Sequence, residues 1–170
     1  MFESMKVDQS DADYLAHSAS LQAESLLWYE HRQGRLTSSK FRSICHTTID
    51  SPSQSLINSI FSQVITSASI AWGRDHESCG QEEYKRQVQS QHQEFLLVTT
   101  GLHVNPLFPH VGASSDGLIS CKGCGKGVLE IKFPYSKSVE EVKSKDFFMC
   151  EDENGMHLKR THAYFYQVQG

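Results

Sequence analysis

The stretch that most constrains this chain runs from Ser114 to Pro134, SSDGLISCKGCGKGVLEIKFP. It reads as two short strands, 117–119 and 128–132, joined by a glycine-rich connection over 122–127. Because side chains alternate across a strand, Glu130 and Lys132 leave one face while Leu129, Ile131 and Phe133 fill the other. Asp116 heads the first strand and can be brought towards that polar face. Two carboxylates and an ammonium would then converge in front of an apolar sheet. Such a notch suits a hard dication, because Mg2+ takes carboxylate oxygens and keeps waters that a phosphate can replace. Acid-x-Lys triplets also occur on solvated strands as mere flanking charges, so the surrounding chain has to decide between the two readings.

At 170 residues and 38% hydrophobic the chain can bury one core, which implies a single domain of mixed α/β (α+β) class. Five cysteines form no regular disulfide framework, and the start MFESMKVDQSDADYLAHS lacks the apolar core of a signal peptide. Both point to a reducing, intracellular setting, nuclear or cytoplasmic. No apolar run approaches bilayer length, so a soluble protein is expected, with no membrane partner. A formal charge of -4 argues against a general basic coat for nucleic acid. It leaves room for an acidic metal site beside local basic patches.

In chain order, residues 1–19 read as a polar, loosely held lead-in and residues 20–170 as the domain. A first helix covers 21–33 with Leu26, Leu27 and Trp28 on its apolar stripe, and Gly34 stops it. Thr37 or Ser38 caps a second short helix, so Arg32, Thr37, Ser38 and Ser39 gather where one helix ends and another begins. Hydroxyls, free backbone N–H groups and a guanidinium there would welcome a phosphate, although ordinary capping beside a surface arginine explains the same residues.

Ser51-Pro52-Ser53 opens a third helix, with Leu56, Ile57, Ile60, Phe61, Val64 and Ile65 as core. Ile70-Ala71-Trp72-Gly73 breaks that pattern, and a polar helix then runs to Gln91 with Glu77 near its start, where the helix dipole favours an acid. A strand over 94–100 with a return over 101–104 precedes the hairpin. Ser138 caps a helix after it, 151–155 is a turn, and 160–170 is helical with Tyr164, Phe165 and Tyr166 on its aromatic side. That unfinished ending points to an N-terminal piece of a longer protein.

Taken together, Trp28-x3-Arg32-x-Gly34-x2-Thr37-x-Ser39, Trp72-Gly73-x3-Glu77, Ser114-Ser115-Asp116-Gly117-Leu118, Leu129-Glu130-Ile131-Lys132-x-Pro134 and Tyr164-x2-Gln167-x-Gln169 occur in one order. In that order they resemble the lambda-exonuclease or YqaJ-type viral recombinase family of the PD-(D/E)xK nuclease superfamily. The likeness extends from Trp28 to Gln169. It departs at Ser115, where the superfamily pattern has proline, and at the Cys-x2-Cys pair in the turn.

The resemblance implies a restriction-endonuclease-like core, a small central mixed sheet flanked by helices. It implies a metal-dependent 5′ to 3′ exonuclease acting on linear duplex DNA in recombination or mobile-element processing. Asp116, Glu130 and the backbone carbonyl of Ile131 would hold Mg2+ or Mn2+, with Glu77 as a further acid of the site. Lys132 would hold or help deprotonate the attacking water, and Gln167 would steady water and lysine. Arg32, Ser39 and Ser114 would receive a terminal 5′-phosphate. A ring-type trimer is implied as the assembly.

An endonuclease of the same superfamily and a catalytically degenerate DNA-binding module are the nearest alternatives. A zinc-stabilised binding module is a different class: Cys121 and Cys124 offer half a zinc knuckle, with Cys150, His157, His162, His103 or His110 as candidate partners. His31, His46, His92 and His110 follow no partner pattern and read as surface or packing residues.

Overall fold

The computed structural model describes residues 5–62, 67–135, 147–153 and 155–169. Its helices are α1 (Gln9–Ser18), α2 (Leu26–Arg32), α3 (Phe41–Cys45), α4 (Gln54–Phe61), α5 (Ala68–Val88) and α6 (Ala163–Gln169). The strands are β1 (Leu36–Thr37), β2 (Leu96–Val98), β3 (His103–Val104), β4 (Val111–Ala113), β5 (Gly117–Cys121), β6 (Gly125–Leu129), β7 (Met149–Asp152) and β8 (Gly155–Leu158). The mixed α/β class therefore stands.

The expected central sheet is divided into two three-stranded sheets, with β7 and β8 as a separate pair. In the first, β1 runs parallel to β4 (Leu36↔Val111, Thr37↔Gly112) and β4 antiparallel to β3. The second is antiparallel throughout, β2 beside β5 and β5 beside β6, from Gly117↔Leu129 to Cys121↔Gly125. The central hairpin thus forms as its alternation demands. Its ladder is set three residues earlier on the second strand than expected, which leaves Glu130 to Lys132 just past the last pair.

Residues 9–18 are not a loose lead-in. Asp8 caps α1 with a reciprocal capping box to Asp11, and Leu15 and Ala19 enter the main core with Trp28, Leu102 and Val104. Gly101 explains the docking. Its N–H donates to the Ala16 carbonyl at 2.8 Å, and a Cβ there would meet the Leu15 carbonyl at 2.5 Å. The same contact diverts the chain after β2, so 101–104 does not return along it; β3 pairs with β4 and β2 with β5.

Other expectations shift for local reasons. Gly73 does not end a helix, because α5 is continuous through it and Ser67 supplies the cap. Glu77 therefore sits in the third turn, outside the reach of the N-terminal dipole. Leu26 is exposed, while Trp28 carries the buried contact of α2. Of the stripe on α4, Leu56 is buried and Phe61 is partly exposed; Val64 and Ile65 lie outside the described residues, as does the helix expected after Ser138. The expected turn at 151–155 is flanked by β7 and β8.

Arg35 is the buried cation of the fold. It donates to the carbonyls of Pro109 and Met5, both at 2.9 Å, and to that of His31, clamping three separate segments.

Candidate functional site

Each strand of the hairpin delivers one carboxylate at the same end. Extending the register one step beyond Gly117↔Leu129 sets Asp116 opposite Glu130. The Asp116 Oδ2 accepts the Ile131 N–H at 2.5 Å, which draws the two ends together. Lys132 Nζ donates to Glu130 Oε1, so the ammonium faces the same notch as the acids. Gln167, from α6, donates to that Oε1 at 2.5 Å rather than to the lysine. The Lys132 ammonium also lies 5.5 Å from the centroid of the Tyr164 ring.

Helix α5 covers the notch through one face. Gln81 Nε2 donates to the Asp116 carbonyl at 2.7 Å. One residue earlier, Gly80 lets the helix lie close: a Cβ there would meet Phe133 at 2.8 Å and Ile131 at 2.9 Å. Glu77, one turn back, is thereby brought into the field of the acids. Burial, followed by the nearby Asp116, pushes its carboxyl up to about 7. Burial likewise raises Asp116, against the Ile131 N–H, and Glu130, against Lys132.

Asp116 and Glu130 offer carboxylate oxygens, the donor type that a hard divalent cation takes, at one end of the hairpin, with Glu77 in their electrostatic field. Ile131 lines the same cleft as Asp116.

That cleft, of about 1190 Å³, is lined by Glu77, Asp116, Lys132 and Gln167 and also by Arg32, Ser39 and Lys40. The pairing of β1 with β4 accounts for this, since it carries the turn Ser38–Lys40 alongside the segment that leads to Ser114 and Asp116. Arg32 stacks on Trp28, its guanidinium carbon 4.0 Å from the ring centroid. Trp28 in turn donates its indole N–H to Ser114 Oγ at 2.8 Å. Ser114 is thus held through the indole, with its own hydroxyl proton left to donate. Burial pulls Arg32 down to about 10, and among the described residues no carboxylate ion-pairs with it.

A family model for the YqaJ-like viral recombinase domain matches residues 27–170. The chain belongs to that family. Among solved structures it is similar to LHK-Exo, crystallised in complex with dAMP, at 19% identity and a TM-score of 0.54. The match covers 85% of this chain and 66% of that one, so the YqaJ-like chain spans just under two thirds of LHK-Exo. No curated protein matches it.

Within the YqaJ-like domain, sequence reasoning did not single out Lys40 or Gln81. Lys40 follows Ser39 directly in a row of capping residues, and burial followed by the charge of Arg32 lowers its pKa. Gln81 carries no motif and is recognisable only once α5 is seen to continue through Gly73. Cys121 and Cys124 lie at the opposite end of the hairpin.

The acids make the cation-free fold sensitive to pH. A carboxyl whose folded pKa is raised contributes stability that is full below its unfolded value and lost as pH rises through the folded one. For Glu77 that window runs from 4.5 to about 7. Its contribution, discounted for near-half exposure, is on the order of 1–2 kcal/mol. His31, His103 and His162 are lowered by burial and slope the opposite way. The difference between wild type and Glu77→Gln therefore isolates the effect: in chelator, the melting-temperature gap should widen in favour of the variant from pH 5 to pH 8. A constant gap would refute it.

Proposed function

We propose that this YqaJ-like chain is a divalent-metal-dependent exonuclease that hydrolyses linear duplex DNA from a 5′-phosphorylated end, in recombination or mobile-element processing. The observation that carries the reading is a single cleft lined by Asp116 and Lys132, with Glu130 bonded to that lysine, and by a half-buried Arg32 that ion-pairs with no carboxylate among the described residues. A phosphodiester can present its scissile phosphate to the first group while a terminal phosphate meets the second.

Mg2+ or Mn2+ would be held by Asp116, Glu130 and the Ile131 carbonyl. When bound, such an ion supplies a nucleophile at neutral pH and offsets charge on the phosphate. The chain's own residues do the rest. Lys132 and Gln167 both donate to Glu130 Oε1, which fixes that carboxylate and leaves Oε2 available. The Lys132 ammonium also stands ready to donate to a phosphate oxygen as negative charge grows there. Glu77, in the field of Asp116 and Glu130, can take a proton from an attacking water. Arg32 and Ser39, which line the cleft, and Ser114, bonded to the Trp28 indole on which Arg32 stacks, would receive the 5′-phosphate, with Lys40 adding a second cation. The dAMP bound to LHK-Exo, a deoxynucleoside monophosphate, supports mononucleotides as product. A ring-type trimer, implied by the family, would keep such an enzyme on its duplex.

The test is digestion of 5′-phosphorylated linear duplex and of covalently closed circles in Mg2+. Release of mononucleotides from the linear substrate alone, stopped by chelator, is expected. Comparable cleavage of closed circles would make the chain an endonuclease, and DNA binding without release by folded protein would make it a binding module.

A further inference from the structure

The turn of the central hairpin carries a cluster that the proposed chemistry does not use. Cys121 ends β5, Cys124 stands at the far side of the turn, and Gly125 leaves it with φ at +80°. His92, from the loop after α5, sets Nδ1 3.3 Å from Cys121 Sγ and 3.5 Å from Cys124 Sγ. The three donor atoms all lie within 4.8 Å of one another. With Zn–S near 2.3 Å and Zn–N near 2.0 Å, nitrogen and sulfur on a tetrahedral zinc stand about 3.5 Å apart. The two observed nitrogen–sulfur separations match that distance.

Two further contacts build the cluster. The Cys124 N–H donates to Cys121 Sγ at 3.2 Å, a bond that favours the thiolate. Independently of the thiols, the loop is fixed to the turn by Lys122 N–H to the Gln93 carbonyl at 3.0 Å and by an ion pair of Lys122 with Glu94 at 3.5 Å. His92 is thus held against the turn by its neighbours. Two soft sulfurs and an imidazole select zinc over magnesium. The cluster is also remote from the acids, since five residues of β5 separate Cys121 from Asp116, about 16 Å of strand.

We infer that His92, Cys121 and Cys124 bind one Zn2+ ion, with water in the fourth position, as a clip between the α5–β2 loop and the hairpin turn. His92, read from sequence as a surface or packing residue, becomes the third ligand in place of Cys150, His157, His162, His103 or His110; it lies 29 residues before Cys121, at no diagnostic spacing.

The experiment is metal analysis of the chain purified without chelator, followed by Co2+ titration of the stripped protein. About one zinc per chain is expected, with a thiolate-to-cobalt charge-transfer band on titration. Affinity should fall about 100-fold or more in Cys121→Ser, Cys124→Ser and His92→Ala, beyond the 10–100-fold that loss of an outer-shell partner costs. Replacing Cys45, Cys79 and Cys150 together by serine should leave binding intact, and so should Asp116→Asn. Absence of stoichiometric zinc and of the cobalt band in folded wild-type protein would overturn the inference, even if the ligand variants fail to fold. So would binding lost with Cys45, Cys79 and Cys150 but kept without Cys121 and Cys124.

Discussion

Asp116→Asn is expected to lose turnover on linear duplex by on the order of 10³-fold or more while the cation-free protein melts at the same temperature or higher. The first half follows from the proposed function: without that carboxylate a bound divalent ion would forfeit a ligand and several kcal/mol of charge stabilisation with it. The second half follows from burial. Asparagine can still accept the Ile131 N–H that Asp116 accepts at 2.5 Å, so the hairpin end stays closed. What disappears is a desolvated charge that also pushes Glu77 and Glu130 upward. A gain of up to about 1 kcal/mol in chelator is consistent with the usual exchange of stability for activity at acid clusters. Nucleotide release and thermal melting measured on one preparation check both halves. Wild-type turnover by the variant would remove the proposed chemistry, and a marked drop in melting temperature would mean that Asp116 is a structural residue.

Arg32→Gln should erase most of the preference for a 5′-phosphorylated end over a 5′-hydroxyl end, a change of about 10–100-fold in relative kcat/KM. That range corresponds to one charge-assisted contact of about 1.5–3 kcal/mol. The expectation rests on the half-sequestered guanidinium over Trp28, which ion-pairs with no carboxylate among the described residues. Arg32→Lys should recover little, since an ammonium neither stacks on the indole in the same way nor presents a planar fork. Competition kinetics with the two duplexes read the effect directly. If the variant slows both substrates equally, Arg32 positions the duplex without sensing its terminus.

The hairpin was legible as two strands about a glycine-rich turn, with Asp116 and Glu130 at one end, whereas its register was not: the second strand, expected over 128–132, runs over 125–129. Its neighbours were harder to read. Helix α1 looked like a lead-in because its buried side comes down to Ala12 and Leu15, too little apolar character to stand out among polar residues. The glycine at 73 misled for the opposite reason: glycine ends many helices, yet this one faces open space and the hydrogen-bonding pattern simply passes through it. That error displaced Glu77 to a first turn it does not occupy and hid Gln81. Strand partners β2–β5 and β3–β4 depend on the close approach of Gly101 to α1, a contact across more than eighty residues that periodicity cannot report. The grouping of Arg32 with Ser39 was visible as a cluster of caps, whereas Lys40 emerged only when the β1–β4 pair brought that turn to the cleft.

Trp28 sits at the centre of these relations, packed with Leu15 and Leu102 on one side, under Arg32 on another, and bonded to Ser114 at its edge. One indole therefore serves two selective pressures at once, and they cannot drift apart. On the proposed function, a substitution that a more tolerant interior would absorb by repacking would here also disturb how a DNA terminus is received, so altered end preference would call for compensating changes in α1.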